Sequence, residues 1–227
     1  MAEQTPRTLN HFSLYAFTDA YWSLDQQARS AFQEQWLAGL AAACSKFDIY
    51  QNTDSKGDML VWCAQTAEAP EAAAIFFEKL ACLTSPFRRL LHTVDVLWGF
   101  TRPSQYTRAR SVQEIDPFAE TRRRYLVAYP FAKTAEWYLM SRDSRQGMMN
   151  EHIRIGKQYE DIQQLLLYSF GLQDQEFVVV YETDDLAYFS DLVNELRDTE
   201  ARRYTSQDTP VYTAVYHPAR ETLALWK

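Results

Sequence analysis

One imidazole stands where a leucine would pack better. In QGMMNEHIRIGKQYE (146–160) a 3.6-residue period stacks His152 with Met148 and Met149 behind it and Ile155 and Gly156 ahead, while Glu151, Arg154, Lys157 and Gln158 fall toward the other side. Methionine adapts to whatever lies against it, and a glycine one turn on leaves room for something flat. One reading of a neutral imidazole in such a pocket is a metal ligand, the usual axial ligand of a haem iron. The same pattern also suits a half-buried core histidine bonded to a backbone carbonyl. His11, His92 and His217 have no comparable surroundings.

A second group lies in RYLVAYPFAK (124–133). Tyr125, Val127 and Tyr129 share one strand face, and Pro130 is expected to end the ladder directly after Tyr129. A phenol titrating near pH ~10 is a poor general base, but it is a competent one-electron donor when its proton has somewhere to go. Lys133 offers a positive charge to a carboxylate or to a phenolate-like state. The competing reading is an aromatic strand face with a lysine stem lying along it.

These residues need elements to hold them, and the chain runs through one order of elements twice. The first half reads as a strand (11–20), a long amphipathic helix (24–44), two strands (47–52 and 58–65), a helix (70–83) and a strand (90–100). The second half repeats it: strand 124–131, helix 141–160, a hairpin of 163–170 and 175–183 across GLQD, helix 185–203 and strand 210–216. Strand–helix–strand–strand–helix–strand is the split-βαβ arrangement, so the fold class is α+β with two ferredoxin-like halves, 1–100 and 124–227, joined by a polar connecting loop, 101–123.

Composition limits the partners. With 47% apolar residues the chain can build a core, and a net charge of −7 argues against a nucleic-acid surface. Cys44, Cys63 and Cys82 form no closely spaced pair, which points away from a disulfide framework and toward a reducing, cytoplasmic setting. The N-terminus shows no secretion signal, and the longest apolar run, 36–44, is too short to span a bilayer.

Taken in order, YPFAK (129–133), EWYLM (136–140), MMNEH (148–152), IGKQY (155–159), YSFGLQDQEF (168–177) and ELRDTEARRY (195–204) resemble the chlorite dismutase superfamily. Within it they look most like the coproheme decarboxylases, hydrogen-peroxide-dependent haem synthases. The resemblance implies a dimeric α+β barrel-like fold within one chain, assembled as a homopentamer, with iron coproporphyrin as substrate and cofactor or with haem b bound instead. It implies His152 as the proximal iron ligand, with Met149 beside it, and Tyr129 as the tyrosine that becomes a radical and removes hydrogen from a propionate. It further implies Lys133 near that propionate, Trp137 packed around the proximal side, Tyr106 bonding a propionate carboxylate and Glu200 orienting His152 from behind. The family's distal position falls on Gln164, where chlorite dismutases carry an arginine that polarises the oxyanion; the glutamine resembles the decarboxylases.

The chain departs from those decarboxylases in shorter connections between Lys133 and Trp137 and around 107–120, the region from which propionate-binding arginines come. Arg108, Arg110, Arg122, Arg123 and Arg124 are available there, and the triple arginine before a strand reads as solvated surface. A haem b peroxidase or chlorite dismutase-like protein, a non-catalytic haem binder, and a cofactor-free ferredoxin-like oligomer are the alternatives.

Overall fold

The computed structural model describes residues 6–106 and 111–227, so Arg108 and Arg110 lie outside the described residues. In the first half, β1 (Thr8–Phe17) is followed by a short turn of helix, α1 (Asp19–Trp22), and by α2 (Gln26–Ala43), whose first turn is capped by the Asp25 carboxylate accepting from Ala28 N–H. Strands β2 (Lys46–Asn52) and β3 (Met59–Thr66), helix α3 (Ala72–Thr84) and β4 (Leu91–Phe100) complete it. The second half comprises β5 (Tyr125–Lys133), α4 (Ala135–Leu139), α5 (Arg142–Gly156), β6 (Gln163–Tyr168), β7 (Phe177–Thr183), α6 (Leu186–Arg197), β8 (Thr205–Gln207), β9 (Tyr212–Tyr216) and α7 (Ala219–Ala224).

Each half forms a four-stranded antiparallel sheet, in the order β4-β1-β3-β2 and β9-β5-β7-β6, which is the ferredoxin-like order in both. The sheets join at both edges, β2 to β9 and β4 to β6, so eight strands close into a barrel with no free edge among them. Alternate residues point inward, and Phe12, Leu14, Leu60, Trp62, Leu126, Leu165, Leu167, Val178 and Val180 pack there as a hydrophobic core.

Two corrections concern β5 and its approach. Pro130 does not end the strand, which continues to Lys133. Phe131 C=O accepts from Glu176 N–H on the β7 side, so the Pro130 nitrogen turns the other way. There β9 has stopped opposite Ala128 and β8 starts opposite Ala132, so no ladder bond is lost. The triple arginine is not all solvated either, because the Arg122 side chain is only 1% exposed. Its Nε donates to Asp48 at 2.8 Å, its other nitrogens donate to Asp116 and Pro117 carbonyls, and it lies 4.3 Å over the Trp62 ring. Arg123 keeps to the surface with Asp184.

The β4–β6 seam is thin, with one paired position, Phe100 with Tyr168. Side chains knit the rest: Ser169 Oγ donates to Trp98 C=O at 2.6 Å, and Gln173 takes Trp98 N–H and donates to Val96 C=O. Gly99 makes this approach possible, since a Cβ there would sit 2.6 Å from Ser169 Oγ and 2.8 Å from Tyr168 O. Gly99→Val is therefore expected to lower stability by ~1–3 kcal/mol, read as a lower urea midpoint, whereas an equal midpoint would show that the seam yields freely.

Candidate functional site

With the barrel interior filled, the outer face of the second sheet is where a site can form. The register sets Tyr129 opposite Val179, Val127 opposite Tyr181 and Gln164 opposite Tyr181, so Tyr129, Tyr181, Gln164, Leu166 and Tyr168 all lie on that face. Helix α5 crosses above it. Ser141 caps its start by accepting from Ser144 N–H, Asp143 suits its positive end, and of its fifteen residues Ile155 alone is buried.

The layer between α5 and the sheet is underfilled. In the first half the corresponding layer is packed by Phe32, Trp36, Leu40, Met59 and Phe76 among others. In the second half the buried set is Val127, Ile155, Tyr159, Ile162, Tyr181 and Leu192. Leu166 remains 42% exposed on the covered side of a strand, and a Cβ added at Gly147 or Gly156 would meet nothing within 4 Å. This incompletely covered layer beside α5, with apolar side chains on its walls, is the slot in which a ligand site is sought.

His152 is half-buried beside this slot, with Met148 and Met149 also half-buried nearby in the helix. Burial, helped by the nearby Lys133 ammonium, pushes its pKa down to about 4, so the ring is neutral at pH 7 and its nitrogens are free to bind a metal. Among the described residues no hydrogen bond holds that ring. Glu200 does not meet it: its carboxylate is 60% exposed and paired with Arg203 at 3.5 Å, and its N–H donates to Glu151 instead.

Lys133 is held more tightly than its exposed type would suggest. Its Nζ donates to Ala201 C=O at 2.9 Å and lies 4.5 Å from the Trp137 ring and 5.1 Å from the Phe131 ring. Burial and then Arg202 lower its pKa to about 8, against the pull of Glu176. Trp137 is buried and packs on Tyr204. Tyr129 is raised well above a free phenol by burial and by Tyr181, whose ring lies 6.4 Å away at 26°. Tyr106 is half-buried, its C=O accepting from Gln146 in α5. Gln164 is exposed on the face shared with Tyr129, and its neighbour Gln163 pairs with Glu182 toward the barrel interior.

The structure thus places Tyr129 and Gln164 on one sheet face and sets Lys133 against Trp137 within electrostatic reach of His152, with Tyr106 where the loop meets α5 and Glu200 turned to the surface. Sequence reasoning missed Tyr181, because its relation to Tyr129 exists only through the β5–β7 register. Alternation in FVVVYET places it on the right face but names no partner.

No helix among the described residues is long and apolar enough to cross a membrane. The sequence pattern of the family described as chlorite dismutase matches residues 21–217. A coproheme decarboxylase of Mycolicibacterium smegmatis is 32% identical over 144 residues, which is 60% of this chain and 61% of that protein's length. A chlorite dismutase variant from Candidatus Nitrospira defluvii superposes with a TM-score of 0.85 at 20% identity, over 96% of this chain and 95% of that one. A haem-binding protein from Thermus thermophilus superposes with a TM-score of 0.78 at 20% identity, over 99% and 96%. At these identities the superpositions speak for the fold.

Because the folded pKa of His152 lies below the ordinary 6.5, protonating it opposes folding, and stability is lost as pH falls from about 6.5 toward about 4. His11, buried against Phe76 and Phe77 and also lowered to about 4, adds to the same window. Urea midpoints are expected to drop between pH 7 and pH 5, and His152→Leu should remove part of that drop; an unchanged pH dependence in the variant would place His152 in solvent.

Proposed function

The chain belongs to the chlorite dismutase family, and from that premise we propose that it is a haem-dependent oxidoreductase that converts iron coproporphyrin to haem b by oxidative decarboxylation with hydrogen peroxide. The observation that carries this reading is the pairing of a neutral residue at the position matching the family's distal side with a half-buried tyrosine. On β6 the outer face offers Gln164 and Leu166, without a cation to hold an oxyanion, and Tyr129 stands on the same face of the same sheet. The curated relative from M. smegmatis is a coproheme decarboxylase.

The residues fit a flat iron ligand: a slot with apolar walls, an imidazole neutral at pH 7, and a cation beside it. His152 would hold the iron, and Met148, Met149 and Leu166 would line the ring. Lys133 would take a propionate carboxylate and fix the side chain's carbon atoms near Tyr129. The iron porphyrin, when bound, supplies the oxidising power drawn from peroxide. Tyr129 would give up an electron and its phenolic proton, the proton ending in water formed from the peroxide, and would regain both as a hydrogen atom taken from the propionate. Each propionate carboxylate would so lose one hydrogen atom, one further electron and carbon dioxide, leaving a vinyl group, while one peroxide would take up those two electrons with one proton from the propionate and one from solvent to give two waters. Lys133 keeps its charge below about pH 8, so carboxylate binding should fade above that value.

Stepwise peroxide addition to the chain loaded with iron coproporphyrin is expected to give successive loss of two carboxyl groups by mass. Tyr129→Phe should lower that rate by about a hundredfold or more while leaving binding intact. Binding without mass loss would leave a haem peroxidase or carrier; no binding would leave His152 a packing residue.

A further inference from the structure

We infer that Gln113 is a positioning residue that sets the spacing between the helix carrying His152 and the sheet position of Gln164, and so the width of the slot between them. This deepens the reading of the slot as a porphyrin site and rests on it. Gln113 belongs to the connecting loop, outside every motif singled out from the sequence, yet it bonds to both walls.

Its side-chain amide reaches the end of α5. Nε2 donates to Tyr159 C=O at 2.8 Å, Ile162 C=O at 3.2 Å and Gly156 C=O at 3.3 Å. Gly156 C=O and Tyr159 C=O already accept from Tyr159 N–H and Ile162 N–H, so the amide adds a second donor at each and ties together the turns that follow α5; an amide nitrogen with two hydrogens can serve several carbonyls at once. Gly156 is one turn beyond His152, so this clamp fixes the stretch of helix that aims the imidazole.

Its main chain reaches β6. Gln164 N–H donates to Gln113 C=O at 2.8 Å, and Ile115 N–H donates to Gln164 C=O at 3.0 Å, forming a short parallel bridge through Glu114. The bridge cannot drift, because the Ile115 side chain is buried inside the barrel. One residue therefore holds the helix bearing His152 at a set distance from the strand position bearing Gln164. A flat ligand bound on one side by His152 and facing Gln164 on the other must match that distance.

Gln113→Ala removes the clamp and leaves the main-chain bridge. Iron coproporphyrin binding is followed by visible absorption, and amide exchange over 153–162 is measured on the same protein without porphyrin. We expect faster exchange at 153–162, about tenfold weaker binding and an altered spectrum of the histidine-ligated iron. Gln113→Arg, which carries donors that reach the same carbonyls, should restore all three, and Gln113→Glu, which has none, should not. If Gln113→Ala does not fold, the Arg and Glu variants make the same comparison. Unchanged affinity and spectrum with faster exchange or a lower melting temperature would overturn the inference, reducing Gln113 to a helix clamp. Failure of the unaltered chain to bind porphyrin would instead remove the reading on which the inference rests.

Discussion

Barrel closure is the constraint from which the rest of this structure follows. Once β2 meets β9 and β4 meets β6, the inner face of all eight strands must be filled by side chains, and Phe12, Trp62, Leu126, Leu167 and Val180 do so. Chemistry is then confined to the outer faces. In the first half helices α2 and α3 press large aromatics onto that face, leaving a cavity of about 210 Å³ between α3 and the sheet, lined by His11, Ser13, Phe77 and Leu80 among others. In the second half α5 brings small, flexible or polar residues, and the layer stays open. The two halves share a topology and differ in the side chains their helices bring to the sheet.

The open layer is also where ionisable groups are driven toward their neutral forms. Burial depresses His152 and Lys133 and raises Tyr129, each in the direction that disfavours charge. An imidazole that stays unprotonated and a phenol that stays protonated are what metal ligation and hydrogen-atom transfer respectively require. The lysine is held between aromatic rings and a carbonyl rather than in an ion pair.

The barrel carries a second polar cluster at its β2–β9 side. Arg122 is paired with Asp48, while Glu182 lies 3.6 Å from its Nη1, too far for a hydrogen bond, and is pushed up to about 7 by burial. Replacing one partner of such a buried set leaves the other charge uncompensated, so it tolerates little change. Arg122 sits eight residues before Pro130, and its anchoring fixes the entry of β5, the strand that presents Tyr129.

Residue pattern alone determined the order of elements, the duplication, and the identity of His152 and Tyr129 as unusual, because periodicity and local chemistry are properties of neighbours in the chain. Element ends were less legible: the helix expected over 185–203 stops at Arg197 and continues as a 3-10 turn over Glu200–Tyr204, and α4, α7 and β8 are too short to show a period. Pro130 misled because its missing donor matters only where a partner strand stands opposite, which a single strand cannot reveal. Arg122 misled because its carboxylate partner lies 74 positions earlier. Gln113 and Tyr181 carry no signal in their own surroundings, since each acts through a partner brought close by register or closure. The sequence by itself settled which side chains were available to the site; tertiary structure decided which of them face one another, because only closing the sheet sets the distances between segments far apart in the chain.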